Sequence, residues 1–274
     1  MSNVPGEEIV CISAPGYSPQ SEPVITDADA FKMGELKHLR SGLRAGKRSL
    51  RGLGQLSCSP CLLLELFSGQ MALTQAATQR PGWEALRPRD LQHGDNLLDA
   101  SVQQAVMDEI QHRRPNLVTL APPCGPWSPL QNLSKGKGDP GRLEALRTVH
   151  YKFWLFSRRV WEAVNEYGGL CLIENPWTAA SWLLAPMHNK PNTATAKVHQ
   201  CMTGLRDPNG LLYKKTSRID SNSLTVAAHL NRPCCNRNPN LHQQIEGSVK
   251  TPSGWQARST LAGAWTPVFA RRIL

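Results

Sequence analysis

The sequence predicts an α/β fold: a doubly wound, mostly parallel sheet with helices on both faces. Three observations carry this expectation. Short apolar runs recur at Cys61–Leu66, Leu117–Leu120 and Gly169–Ile173, with the length and composition of strands buried on both faces. Segments of helical character separate them, and strand–helix alternation favours right-handed parallel crossovers. Each run also ends in a loop that breaks regular structure: Phe67-Ser68-Gly69, Ala121-Pro122-Pro123-Cys124 and Glu174-Asn175-Pro176. Ligands in such sheets bind beyond the carboxyl ends of the strands, so these loops are the first place to look for a site.

Residues 1 to about 57 read differently from the rest. The first thirty are rich in Pro, Ser, Gly and acids, which predicts disorder. A basic run follows, from Lys37 through Arg40, Arg44, Lys47 and Arg48 to Arg51. It reads as a nucleic-acid arm or targeting patch, or as a solvated linker. The folded domain is expected over 58–274. Its first strand, Cys61–Leu66, leads to a helix over 70–79, closed by Pro81-Gly82. Trp83–Leu86 is the second strand. Val102, Ala105, Val106 and Ile110 lie at helical spacing and predict one buried face. A long helix is expected over about 142–166, before the strand that leads into Glu174.

The bulk numbers bound the function. A chain of 274 residues with 40% hydrophobic content can bury a full core, and its formal net charge of +10 suits a polyanion such as nucleic acid. Residues 1–20 contain no secretory apolar run, and no stretch approaches the roughly 20 apolar residues of a membrane span. A reducing compartment is expected: nuclear in a eukaryote, cytoplasmic otherwise, not secreted, with the 8 cysteines mostly thiols.

A cysteine ordinarily packs as a small buried hydrophobe. Cys124 departs from that pattern, because two prolines before it and one after it make a rigid loop beyond a strand end. Ser128 is placed to cap the next turn. Glu174 ends an apolar strand, where partial burial raises a carboxyl toward neutrality; it reads as a proton donor or as a helix-capping carboxylate. The loop Phe67-Ser68-Gly69-Gln70 lacks both the three spaced glycines of dinucleotide sites and the P-loop lysine, so a ligand without phosphates fits it better. Asp95, in Gly94-Asp95-Asn96, follows the second strand and reads as a ligand for amine or hydroxyl groups, or as a turn residue.

Together these motifs resemble the cytosine-5 DNA methyltransferases that use S-adenosylmethionine. The likeness covers roughly residues 61–274. Phe67-Ser68-Gly69 is similar to the cofactor loop, Pro122-Pro123-Cys124 to the nucleophile loop and Glu174-Asn175 to the acid motif. The segment Ser259-Thr260-Leu261-Ala262-Gly263-Ala264-Trp265-Thr266-Pro267 is similar to the last motif, in the family's order. Cys124-Gly125-Pro126-Trp127-Ser128, Glu174-Asn175-Pro176-Trp177 and Gly204-Leu205-Arg206-Asp207-Pro208 are similar, more specifically, to methyltransferase-like domains of dinoflagellate retrotransposon polyproteins. The resemblance implies a Rossmann-like class I methyltransferase. Cys124 would be the nucleophile, Glu174 the acid and Arg218 a residue at the base. Phe67, Ser68, Gly69, Gln70, Asp95, Pro122, Ala264 and Trp265 would hold S-adenosylmethionine. Ser128, Arg206, Lys214 and Lys215 would face the nucleic acid, a DNA duplex with a flipped cytosine.

The chain departs from the family at several points. Gly125 stands in place of glutamine and Pro176 in place of valine. Gln200 is present without the spaced arginines that usually follow it. Only Asp90 is left near the acidic position after the second strand. Between Arg218 and Ser259 there is no room for a full target-recognition domain, so that domain is expected to be absent or much reduced, with specificity left to a fused or separate partner. Cys234, Cys235 and His242 fall in this short stretch. Their spacing is not a known ligand set, so structural thiols and no metal are expected. The alternatives are methylation of RNA by the same chemistry, a catalytically degenerate nucleic-acid-binding domain and, last, a cysteine hydrolase.

Overall fold

The strand that the sequence marks most clearly, β1 (Cys61–Leu66), lies inside a six-stranded sheet of order β2-β1-β3-β4-β7-β5. The computed structural model describes residues 59–134, 140–234 and 242–274. The expectations for the N-terminal arm, for Cys58 and for Cys235 lie outside the described residues. Strands β2 (Trp83–Ala85), β3 (Leu117–Leu120) and β4 (Leu170–Pro176) run parallel with β1. Strand β7 (Thr216–Ser221) is antiparallel to both its neighbours, β4 and β5 (Ala194–His199). The fold is therefore mixed α/β with a mostly parallel central sheet.

Period-two alternation in the parallel strands builds two cores. Leu64, Leu66, Val118, Leu120 and Ile173 face one side. They pack with Val106 and Ile110 of α2 (Ala100–Arg113) and with Trp154 and Trp161 of α3 (Pro140–Glu166). Leu63, Leu117 and Leu172 face the other side. There they meet Leu73 of α1 (Ala72–Thr78), Leu230 of α4 (Leu224–Leu230) and Phe269. A short α5 (Arg258–Leu261) precedes α6 (Pro267–Ile273), which carries Phe269. Strands that are mostly apolar on both sides are what a sheet covered on both faces requires.

Two expectations need correction. Met107, not Ala105, is buried on α2; the helix is rotated so that its stripe runs through Val106, Met107 and Ile110. Strand β4 also extends through Pro176, so Glu174 lies within the strand rather than after it. Tertiary pairing lengthens it, since Glu174 and Pro176 stand opposite Ile219 and Ser217 of β7.

The stretch between β7 and α5 is small, as its length demands. It holds α4, the strand β8 (His242–Gln244) paired in parallel with β6 (Leu212–Lys214), and the hairpin of β9 (Ser248–Thr251) and β10 (Gly254–Ala257). Ile245 of this stretch packs against a small buried cluster of Leu205, Tyr213 and Ala262, which flank it in sequence. No helix among the described residues is long and apolar enough to cross a membrane.

Candidate active site

The carboxyl ends of β1, β3 and β4 open onto a cavity of roughly 380 Å³, within the ordinary range of roughly 300–1,000 Å³ for small-molecule sites. Phe67, Ser68, Gly69 and Gln70 form one wall. Pro122, Cys124 and Ser128 form a second. Glu174, Ala264, Trp265 and Lys215 also line the cavity. Five segments far apart in sequence thus share one space.

Backbone geometry shapes the glycine loop. Phe67, Gly69 and Met71 all have positive φ, at 54°, 47° and 56°, so the chain reverses sharply between β1 and α1. For Phe67 and Met71 this left-handed conformation is unfavourable, and neighbours hold it. The Phe67 N–H donates to the Arg89 carbonyl at 2.8 Å, while its ring packs edge-on against Phe153 at 5.3 Å. The Gly69 N–H donates to Asp90 Oδ2 at 3.0 Å, and His93 Nε2 lies 3.0 Å from the Gly69 carbonyl. A Cβ at Gly69 would meet nothing within 4 Å, which leaves that face of the loop open to a ligand.

The loop that carries Cys124 is held from both ends. Asn175 Nδ2 donates to the Pro122 carbonyl at 2.7 Å, and Asn175 Oδ1 accepts from Ser181 Oγ at 3.1 Å. Cys124 opens a 3-10 turn in which the Trp127 N–H reaches the Cys124 carbonyl at 2.9 Å. Arg147 of α3 donates from Nε to the Pro126 carbonyl at 3.3 Å, with its guanidinium 5.5 Å from the Trp127 ring centre. Gln131 Nε2 closes the loop on the Gly125 carbonyl at 3.0 Å.

Charge in the cavity is concentrated around the thiol. Burial pushes the Cys124 thiol up and the Glu174 carboxylate adds to that rise, while the Lys215 ammonium pulls it back down. Glu174 is 6% exposed. Its Oε1, together with Ser68 Oγ and Thr119 Oγ1, is buried with no hydrogen-bond partner among the described residues. Buried polar atoms normally have partners, so three orphans around one cavity mark places where a ligand would donate or accept.

The structure sends two expected residues elsewhere. Asp95 is buried, but its carboxylate is held by Arg87 at 2.9 Å and Arg89 at 3.3 Å, away from the cavity lining. Arg218 pairs with Asp220 at 2.8 and 3.1 Å, and its guanidinium stacks 4.4 Å from the Trp182 ring centre. Positions 218 and 220 of β7 share a face, which brings Arg218 to Asp220. Lys215 is the cation in the cavity, with its Nζ donating to the Ala262 carbonyl at 2.9 Å. Arg206 and Lys214 are exposed, and an Arg206 guanidinium nitrogen is bonded to the Gly210 carbonyl at 2.7 Å.

Glu65, Thr119 and Gln92 line the cavity without having been among the expected site residues. Glu65 lies in β1 opposite Thr119 of β3. Glu65 Oε2 accepts from the Thr74 N–H and Oγ1, each at 2.8 Å, and burial raises its carboxyl. An acid inside an otherwise apolar strand was the available signal.

No protein-family model matches the chain, and no curated protein matches it. Among solved structures, it is similar to one described as a methyltransferase of Entamoeba histolytica, with 16% sequence identity and a TM-score of 0.35. The likeness covers 70% of this chain, which spans only 59% of that one.

Proposed function

We propose that this chain methylates cytosine at C5 in DNA, using S-adenosylmethionine and a covalent bond to Cys124. The observation that carries this reading is the convergence of Cys124 and Glu174 with the glycine loop on one cavity. The cavity suits the cofactor: it has no phosphate-binding loop, it is open at Gly69, and it holds unpartnered hydroxyls at Ser68 and Thr119. Phe67, Ser68, Gly69, Gln70, Pro122, Ala264 and Trp265 would hold S-adenosylmethionine, with Glu65 and Gln92 beside them.

When bound, the cofactor supplies an electrophilic methyl group. The Cys124 thiolate adds to C6 of the flipped base, and the electron pair of the C5–C6 double bond makes C5 nucleophilic. Glu174 holds the proton at N3, which offsets the negative charge that develops on the ring. Lys215 lowers the thiol and so favours the attacking form. After transfer, a water molecule takes the C5 proton, and its electron pair restores the double bond and expels Cys124 as thiolate. Sulfur suits both steps because it is a good nucleophile and a good leaving group. The exposed Arg206 and Lys214 supply phosphate contacts, which position the polymer without reading its sequence.

Duplex DNA containing 5-fluorocytosine tests this reading, because fluorine at C5 blocks the final elimination. With S-adenosylmethionine present, a denaturation-resistant adduct is expected, mapping to Cys124 by mass spectrometry and lost in Cys124→Ser. Absence of an adduct with both DNA and RNA overturns the enzyme reading. An adduct with RNA alone overturns the choice of DNA.

A further inference from the structure

Outside the cavity, one cluster has no role in the proposed chemistry. Cys201, Cys234 and His242 come from three separate segments, yet their ligand atoms all lie within 4.8 Å of one another. Cys234 Sγ is 3.6 Å from His242 Nε2. We propose that these three residues bind a zinc ion.

The supports of the cluster are well built. Cys201 sits in the 3-10 turn Gln200–Thr203, after β5. That turn is anchored by buried Gln200, whose Nε2 donates to Ser217 Oγ at 3.0 Å and whose N–H donates to the Lys215 carbonyl at 2.8 Å. The Cys234 N–H donates to His199 Nδ1 at 3.0 Å. Just before Cys234, the Arg232 N–H reaches the Lys197 carbonyl at 2.9 Å, and the His199 N–H reaches the Arg232 carbonyl at 3.0 Å. His242 begins β8, opposite Leu212 of β6. The Cys201 turn and His242 are held by backbone pairing, and Cys234 by its bond to the His199 ring beside the Arg232 bridge.

Two thiols and an imidazole suit zinc, whereas hard cations such as Mg²⁺ and Ca²⁺ prefer oxygen. With Zn–S near 2.3 Å and Zn–N near 2.0–2.1 Å, tetrahedral ligand atoms lie about 3.5–3.8 Å apart. The Cys234–His242 pair is already at that spacing, and the cluster needs only to contract around the ion. A fourth position remains for water or another ligand. Simple packing of thiols accounts for the site less well. Packing of thiols alone gives no reason for an imidazole nitrogen to sit 3.6 Å from Cys234 Sγ. A Cys201–Cys234 disulfide would leave the placement of His242 unexplained.

The ion would also brace the cavity. The carbonyl of Thr203, at the end of the Cys201 turn, accepts from Thr266 Oγ1 at 2.8 Å, next to Trp265. Ile245, which follows β8, lines the cavity. Zinc at this point would tie both segments to the sheet edge at β5.

Metal content of the full-length chain, purified without chelator or histidine tag after growth with zinc, tests the proposal independently of any methyl transfer. About one zinc per chain is expected by mass spectrometry. Cys201→Ser, Cys234→Ser and His242→Ala should each lose at least nine-tenths of it, while Cys61→Ser retains it. Because those variants can misfold, X-ray absorption on the wild-type protein gives a second reading. It should show at least two sulfurs near 2.3 Å and at least one nitrogen near 2.0–2.1 Å. A wild-type protein with under a tenth of an equivalent of zinc, a shell with fewer than two sulfurs, or a Cys201–Cys234 disulfide in the reduced preparation overturns the assignment.

Discussion

The side-chain amide of Asn175 donates to the carbonyl oxygen of Pro122 across 2.7 Å, both in buried surroundings. This one bond ties the strand carrying Glu174 to the loop carrying Cys124. It sets the distance between the two groups on which the proposed chemistry depends.

Asn175→Ala should therefore leave the fold intact but loosen the loop. Removing a buried partner costs about 1–3 kcal/mol, to be seen as a lower urea midpoint. Displacement of the thiol by about 1 Å would slow adduct formation by about 100-fold. Single-turnover trapping on 5-fluorocytosine DNA measures it, and an unchanged rate would mean that the clamp does not position Cys124.

The thiol lies between two opposed charges, and its reactivity should report both. Lys215 pulls the Cys124 pKa down, so Lys215→Met should move the midpoint of its alkylation-rate profile to higher pH. Glu174 pushes it up, so Glu174→Gln should move the midpoint down. Iodoacetamide kinetics between pH 6 and about 10, read on the Cys124 peptide, separate the two shifts. Equal profiles in both variants would contradict the electrostatic account.

Gly69→Ala should weaken both stability and ligand binding. The φ of +47° is a left-handed conformation that costs a residue with a Cβ about 1–2 kcal/mol, and the added methyl points into open cavity. Calorimetric titration with S-adenosylmethionine should show lost affinity, with thermal melting reporting the strain.

Asp220 should govern acid stability. Burial pushes its carboxyl up, but Arg218 and Lys190 outweigh burial and hold it below the usual range. With the folded value depressed, its stabilisation is complete above the ordinary carboxylate range and is lost as pH falls through the folded value. Lys190 Nζ lies 2.8 Å from Asp220, with side chains 1% and 0% exposed. Asp220→Asn strands that ammonium and should cost about 3–5 kcal/mol. Burial pulls the Lys190 pKa down, so the variant should regain stability as pH rises. Urea titrations across pH test both statements.

Some of the site was legible because its signals are local. The glycine after β1 and the prolines around Cys124 disrupt regular structure within a few residues, and backbone sterics act at that range. Glu65 and Thr119 were not legible as cavity residues, and Lys215 was expected at the nucleic acid rather than beside the thiol. Their placement depends on strand register and on which face each position takes, and both follow from pairing with distant segments. Arg218 and Asp95 were misplaced for a related reason. A charged side chain goes to the partner that folding buries beside it, here Asp220 for one and Arg87 with Arg89 for the other.

The zinc cluster is the clearest case of this divide. Cys234 and His242 have no recognised spacing by themselves. Cys201 joins them only because β7 pairs with β5 and β6 pairs with β8.

By itself the sequence determined the strand–helix alternation, the two-sided burial of the central strands and the break in regular structure just before Cys124. These follow from hydrophobic periodicity and from residues with restricted backbones. Only the tertiary structure decided which cation faces the thiol, which acids enter the cavity and which thiols gather around His242. Those outcomes depend on register and on competition among buried charges, which act between residues far apart in the chain.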